Sequence, residues 1–261
     1  TRLNRLVWSY LPDWVLVIIM ALAFFAIDKI HPFRREFSLE DKTIQHPMKP
    51  DTVTPTMLII ISFVIPIVVI FFNAVFIRRS WFDLHQGWLG CMLALTLTIM
   101  VTHTLKVTVG RLRPDFIDRC KLDRSNGTPT DPGIGLSNSS LCTQTNSKIL
   151  RDGMKSFPSG HSSMTFAGMT YLTLYLAGKL HIHDQKGHTI KTFITIMPLL
   201  GAALVAVSRT CDYRHHWQDV TIGSIIGILC AYFAYRQYYP RLASLTSHRP
   251  YSPRIPADDD E

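Results

Sequence analysis

Residues 57–77 read MLIIISFVIPIVVIFFNAVFI, an apolar run interrupted only by Ser62, Pro66 and Asn73 and closed by Arg78 and Arg79. A helix of roughly 18 or more apolar residues is long enough to cross the hydrocarbon core of a bilayer. Pro66 predicts a kink, which a membrane bundle tolerates when neighbouring groups satisfy the freed backbone. Blocks of similar character occur near residues 14–30, 87–109, 162–180, 192–208 and 219–235, with Asp28 at the end of the first and Pro198 inside the fifth. Together they predict an all-α polytopic membrane protein, a six-transmembrane-helix bundle. The first block follows Pro12 and has spanning length, so it reads as a retained helix rather than a cleaved leader.

The formal net charge of +8 over 261 residues raises nucleic acid as a partner, but the placement of the charges argues against it. Lys and Arg gather at the ends of the apolar blocks, as membrane topology rules require. Arg2 and Arg5 precede the first block, Arg78 and Arg79 follow the second, and Lys179, Lys186 and Lys191 flank the turn between the fourth and fifth. Arg236, Arg241, Arg249 and Arg254 follow the sixth. With six spans these all fall on one side, and the positive-inside rule makes that side cytoplasmic, with both termini there. Trp8, Trp14, Trp81, Trp88, Trp217, Tyr238 and Tyr239 sit near block ends, as an aromatic belt does.

Residues 29–55, 110–161 and 209–217 then share the luminal or extracellular side. The 110–161 loop departs from the charge rule by being rich in Arg and Lys, which points to a functional demand for cations. It carries two N-glycosylation sequons, at Asn126 and Asn138, and two cysteines, Cys120 and Cys142, that can pair if the loop faces an oxidising lumen. The domain reading is a 1–12 interfacial segment, a 13–240 membrane domain including the loop, and a disordered 241–261 tail rich in proline with an acidic end.

Three polar clusters remain once the spans are set aside. Lys106 to Pro114 leaves the third block, Pro158-Ser159-Gly160-His161 enters the fourth, and Ser208-Arg209, His215 and Asp219 lead into the sixth. The span count places all three at one membrane face, and that count did not use them. Lys106, Arg113 and Arg209 supply cations, and arginine grips phosphate bidentately. Ser159 and Gly160 lie at a helix start, where free N–H groups favour an anion. His215 and Asp219 are four apart, so a carboxylate there can fix the imidazole tautomer as the ring attacks. His161, from another helix, can protonate the leaving oxygen.

This set resembles the type 2 phosphatidic acid phosphatase superfamily, the lipid phosphate phosphatases, whose signatures are Lys-x6-Arg-Pro, Pro-Ser-Gly-His and Ser-Arg-x5-His-x3-Asp. Every specified residue is present: Lys106, Arg113, Pro114; Pro158 to His161; Ser208, Arg209, His215 and Asp219. The stretches 110–116, 157–163 and 212–219 look like fungal and plant diacylglycerol pyrophosphate and lipid phosphate phosphatases. The resemblance implies His215 as a nucleophile forming a phosphohistidine, Asp219 as its partner and His161 as general acid. It implies Lys106, Arg113, Ser159, Gly160 and Arg209 as the phosphate cradle, chemistry without metal or other cofactor, and a six-helix fold.

Singly, each residue has a plainer reading: Lys106 as a snorkelling lysine, Arg113 and Arg209 as helix-end charges, His215 and Asp219 as a structural pair. Their joint occurrence favours function, because clustered ionisable groups at membrane level are functional by default. The expected substrate is a membrane lipid phosphate, phosphatidate or diacylglycerol pyrophosphate, with the bilayer itself as partner and no nucleic acid. Rival readings are a polyprenyl pyrophosphate, sphingoid base phosphate or sugar phosphate phosphatase, or a non-catalytic lipid-binding or scrambling protein. Vacuole, Golgi and plasma membrane all suit a luminal or extracellular site. The sequence fixes no oligomeric state.

Overall fold

The computed structural model describes residues 2–123, 129–184 and 186–255. Among these, six long helices carry the fold: α1 (Arg2–Lys29), α2 (Pro55–Ile77), α3 (Trp81–Val109), α4 (Gly160–Lys179), α5 (Thr189–Cys211) and α6 (Trp217–Tyr238). The described residues contain no strand, only isolated bridges between Phe37 and Ser137 and between Leu122 and Cys142.

Five of the six, all but α4, are long and apolar enough to cross a membrane by length and composition. Their outer faces carry large apolar side chains: Phe25, Ile77, Phe193, Leu204 and Leu229 are 62–72 % exposed. Thr98, Thr102, Ser162 and Thr165 are buried instead. This distribution suits a bundle whose solvent is lipid.

α4 explains why a hydropathy scale passes over it. Its 20 residues give roughly 30 Å of helix, the thickness of a bilayer core, yet none of them is exposed. It packs against α2, α3, α5 and α6. A helix without a lipid face needs no lipophilic surface, and small residues let the neighbouring backbones approach. Gly168 lies against the Ser62 carbonyl of α2, and Gly227 of α6 lies against the Ser163 carbonyl of α4. A Cβ at Gly227 would run into a backbone oxygen that cannot swing aside, so Gly227→Ala is expected to part α4 from α6. Overpacking of this kind costs about 1–3 kcal/mol, and thermal unfolding of the purified protein in detergent measures it. An unchanged midpoint contradicts the close approach.

The kink expected at Pro66 appears as a change of helix type. α2 runs as α-helix over Pro55–Ile59, widens to a π turn at Ile60–Val64, resumes at Ile65–Phe72 and widens again at Asn73–Ile77. Proline at 66 offers no N–H to the Ser62 carbonyl, and Gly168 of α4 packs against that carbonyl. The separate 1–12 segment does not appear: α1 runs through Pro12 without a break. Tyr10 is buried against Phe82 and His85, and Arg254 holds Asp13, so this stretch is packed as part of the bundle.

At one end, segments between the helices form a cap. Phe37, Ile44, Leu112, Phe116, Cys120 and Met154 make its apolar core, and a disulfide joins Cys120 to Cys142. Asp131 accepts hydrogen bonds from Ser38 Oγ and Ser137 Oγ, both at 2.6 Å. Asn138 lies exposed in this cap, its Oδ1 taking the Ser140 amide at 2.9 Å; Asn126 lies outside the described residues.

The other end is locked by a buried ion pair, Asp83 with Lys179 at 2.5 Å, with Tyr239 donating to the same carboxylate at 2.9 Å. The expectation of a disordered 241–261 tail is corrected for residues 241–255. Ser247 is buried, Lys179 donates to the His248 carbonyl, Tyr251 N donates to the Tyr238 carbonyl, and Arg254 reaches Asp13 of α1. Its prolines and charges suggested a solvated chain, but its contacts are backbone and long-range ones that composition does not reveal.

Candidate active site

The signature residues gather where helix ends meet the cap. Lys106 stands in the last turn of α3, which stops at Gly110 in a left-handed turn (φ 58°) pressed against the Phe33 carbonyl. Arg113 follows on the cap segment, its amide donating to the Gly153 carbonyl at 2.9 Å. Ser159 is the N-cap of α4, and Gly160 and His161 form its first turn. Arg209 stands in the last turn of α5, and its carbonyl accepts the amides of Arg214 and His215 at 3.0 and 3.3 Å, curling the chain back before α6.

Lys106, Arg113, Gly160, His161, Arg209 and His215 line one cavity of about 450 Å³. The two histidines, 54 positions apart in sequence, therefore face the same space. Ser159 and Asp219 are absent from its wall and stand behind it. Ser159 Oγ accepts from Ser162 Oγ at 3.0 Å, and its amide donates to the Asp219 carbonyl at 2.9 Å, joining the starts of α4 and α6.

His215 differs from expectation in its partner. Its Nδ1 lies 2.7 Å from the Ser156 carbonyl and 3.9 Å from Asp219 Oδ2. The chain is not helical at His215, because α6 begins at Trp217, so the four-residue spacing does not produce the facing pair that a helix would. Asp219 instead closes a capping box with His216, accepting from the His216 amide at 3.1 Å. It also accepts from Ser156 Oγ at 2.5 Å and Arg111 Nη1 at 2.7 Å. Ser156 thus links the carboxylate to the ring, hydroxyl to one and carbonyl to the other. A carbonyl can only accept, so Nδ1 carries the proton and Nε2 holds the free lone pair. Burial above all, then Arg113, Lys106 and His161, holds the His215 ring well below the usual imidazole pKa. It stays neutral on acidification past the range where a free histidine gains a proton.

Each cavity cation is tethered. Lys106 Nζ donates to the Lys155 carbonyl at 2.9 Å, and Arg113 pairs with Asp152 at 2.7 Å. Arg209, 1 % exposed, reaches Asp51 at 3.0 Å with one guanidinium nitrogen and Asp212 at 2.6 Å with the other. Lys155 and Arg214 add two further cations to the wall, and Asp28, Asp51 and Asp152 line it as carboxylates. Sequence reading left these residues without a role. Lys155 and Ser156 lie just before the Pro-Ser-Gly-His signature in the cation-rich loop, which was the available signal. Asp51 has none, since it meets Arg209 across 158 positions.

Some of the buried polar atoms without a partner lie here. His103 Nδ1, Arg113 Nε and His161 Nε2 are buried without a hydrogen-bond partner, and all three residues line the cavity, whereas Arg214 Nε lies 2.9 Å from Asp51 Oδ1. Arg113 Nε is a donor whatever tautomers the rings adopt, so the cavity offers a free N–H to an acceptor-rich guest. Apolar side chains line the same cavity: Phe24, Pro55, Leu58, Ile59, Ile99 and Met164. Among the described residues, no group of three His, Cys, Asp or Glu side chains is arranged to hold a metal ion.

The PAP2 superfamily model matches residues 87–243. Lipid phosphate phosphatase 2 of Arabidopsis thaliana is 40 % identical over 237 residues, 88 % of this chain and 78 % of that protein. Lipid phosphate phosphatase 1 of the same plant is 37 % identical over 239 residues, 91 % of this chain and 70 % of its own length. Diacylglycerol pyrophosphate phosphatase 1 of Saccharomyces cerevisiae is 40 % identical over 234 residues, 88 % of this chain and 80 % of the yeast protein. No solved structure matches the chain.

Proposed function

From the premise that this chain belongs to the PAP2 superfamily, we propose that it is an integral membrane phosphatase that hydrolyses lipid phosphates, phosphatidate and diacylglycerol pyrophosphate among them. The observation that carries this reading is the cavity's two unlike sets of lining groups: cations with a free guanidinium N–H, and aliphatic and aromatic side chains beside them. A phosphate headgroup satisfies the first, and an acyl tail suits the second.

The neutral Nε2 of His215 attacks phosphorus in line. Lys106, Arg113 and Arg209 hold the phosphoryl oxygens, and the amides at the start of α4 add donors that strengthen as charge develops. The P–O bond to the lipid breaks, and His161 gives its proton to the departing oxygen. Water then attacks the phosphohistidine with His161 as base, releasing phosphate and restoring His215. Asp219 supports the ring through Ser156. Every donor in this scheme is a protein group, and the scheme calls on no metal.

Charge placement supports a cytoplasmic location for the Arg78, Lys179 and Arg254 end and a luminal or extracellular one for the disulfide-bonded cap. On that orientation catalysis takes place at the non-cytoplasmic leaflet, a setting that the vacuole, Golgi and plasma membrane all provide. The test is phosphate release by purified protein from phosphatidate and diacylglycerol pyrophosphate in micelles, against a soluble sugar phosphate, in excess chelator. Release from the lipids, undiminished by chelator, is the expected result. Preference for the sugar phosphate, or arrest by chelator, refutes the reading.

A further inference from the structure

The cavity holds more cationic side chains than the three-residue cradle, and one of them stands apart. Lys155 Nζ donates to the Asp28 backbone carbonyl at 2.9 Å and lies 3.1 Å from the Asp28 carboxylate. Its side chain is 7 % exposed, whereas that of Asp28 is 44 % exposed. His103 Nδ1 lies 3.7 Å from the same carboxylate, beyond hydrogen-bond reach. Phe24 closes the corner with its ring edge against His103. Three segments far apart in sequence, the end of α1, α3 and the stretch before α4, build this corner of the cavity wall.

Its position relative to the cradle is set by α3. His103 precedes Lys106 by three residues on a helix that climbs toward the cap, so it lies about 4.5 Å deeper in the membrane on nearly the same face. Lys155 is adjacent to Lys106, whose ammonium its carbonyl holds. The corner is therefore the cradle's neighbour on the side from which a lipid tail must come.

We propose that Lys155, with His103 beside it, forms a second phosphate subsite that takes the lipid-side phosphate of a diphosphate lipid while the signature cradle takes the terminal one. The proposal rests on the lipid phosphatase reading above. Asp28 serves as counter-ion to Lys155, and its side chain, 44 % exposed, can give way to a phosphate. As the bond from His215 Nε2 to the terminal phosphorus forms, the bridging P–O bond breaks and its electron pair leaves on the lipid monophosphate. Lys155 meets that new charge directly. A monophosphate lipid has no phosphate at this depth, and its leaving oxygen relies on the proton from His161 alone, so Lys155 contributes to one substrate class and not to the other.

The test is a ratio measured on the full chain in detergent. Values of kcat/KM are taken for a diacylglycerol diphosphate and a diacylglycerol monophosphate with the same tails. Lys155→Gln is expected to lower the diphosphate-to-monophosphate ratio about tenfold or more, the effect of a lost charged hydrogen bond, and Lys155→Arg to restore most of it. Inorganic pyrophosphate should likewise lose its advantage over inorganic phosphate as a competitive inhibitor. Equal losses on both lipids, or an unchanged ratio, overturn the proposal. If Lys155→Gln fails to fold, His103→Gln carries the same ratio test with the same outcomes. Wild-type protein silent on both lipids sinks the lipid phosphatase reading itself, a result distinct from an unchanged ratio.

Discussion

His215→Ala is expected to reduce phosphate release by about 10⁴-fold or more, the usual consequence of deleting a covalent nucleophile. The size follows from the geometry. The ring is 3 % exposed, its Nδ1 is committed to the Ser156 carbonyl, and its free Nε2 belongs to a residue on the cavity wall. Among the described residues no other histidine meets these conditions. His161 lines the cavity from the first turn of α4, where the proposed chemistry requires a proton donor. His216 caps α6 through Asp219. Phosphate release by the variant, with its thermal unfolding as a check on folding, measures the effect. Residual activity within tenfold of wild type contradicts the nucleophile assignment.

The second large effect is expected at Arg209, where even a lysine should fail. The guanidinium is buried between Asp51 and Asp212, and Asp212 in turn accepts from the Thr52 amide at 2.8 Å and hydroxyl at 2.6 Å. That chain of contacts fixes the fork and ties the start of α2 to the end of α5. Lysine offers one compact ammonium where arginine offers five donors in a plane. It cannot reach both carboxylates and still present donors to a phosphoryl group. Arg209→Lys is expected to lower kcat/KM by roughly 10²–10³, the range for losing an oriented transition-state donor. An effect below threefold would show that Arg209 serves the fold and not the phosphate.

How much of this was legible in the sequence depended on the kind of interaction. Apolar length located all six helices, because lipid imposes its thickness directly on the chain. Boundaries fell short by several residues at α3, which begins at Trp81, since Asp83, His85 and Gln86 look like loop residues. They are internal in fact: Asp83 and Gln86 are buried, and Trp14 donates to His85. α4 was recognised by length and position, but its place at the centre was not, because an interior membrane helix carries no amphipathic pattern to reveal it.

Side-chain identity at fixed spacing was enough to assemble the cavity's six signature residues. It misjudged Asp219, where spacing of four was read as helical although the chain is still turning at His215. The role expected for that carboxylate reaches the ring through Ser156, and a backbone carbonyl leaves no mark in a sequence. Asp28, Asp51 and Asp152 were illegible for a related reason. Each is an ordinary acidic residue near a helix end or loop, and only the folded chain brings it to a buried cation.

The account stands most directly on a covalent bond between His215 and the substrate's phosphorus. A lipid phosphate carrying ³²P in its scissile phosphoryl group is mixed with purified protein, turnover is stopped with alkali, which spares phosphohistidine, and the digest is mapped. The expected result is label on the peptide containing His215, lost in His215→Ala. Full turnover with no label on the protein, or label on a residue other than His215, would contradict it.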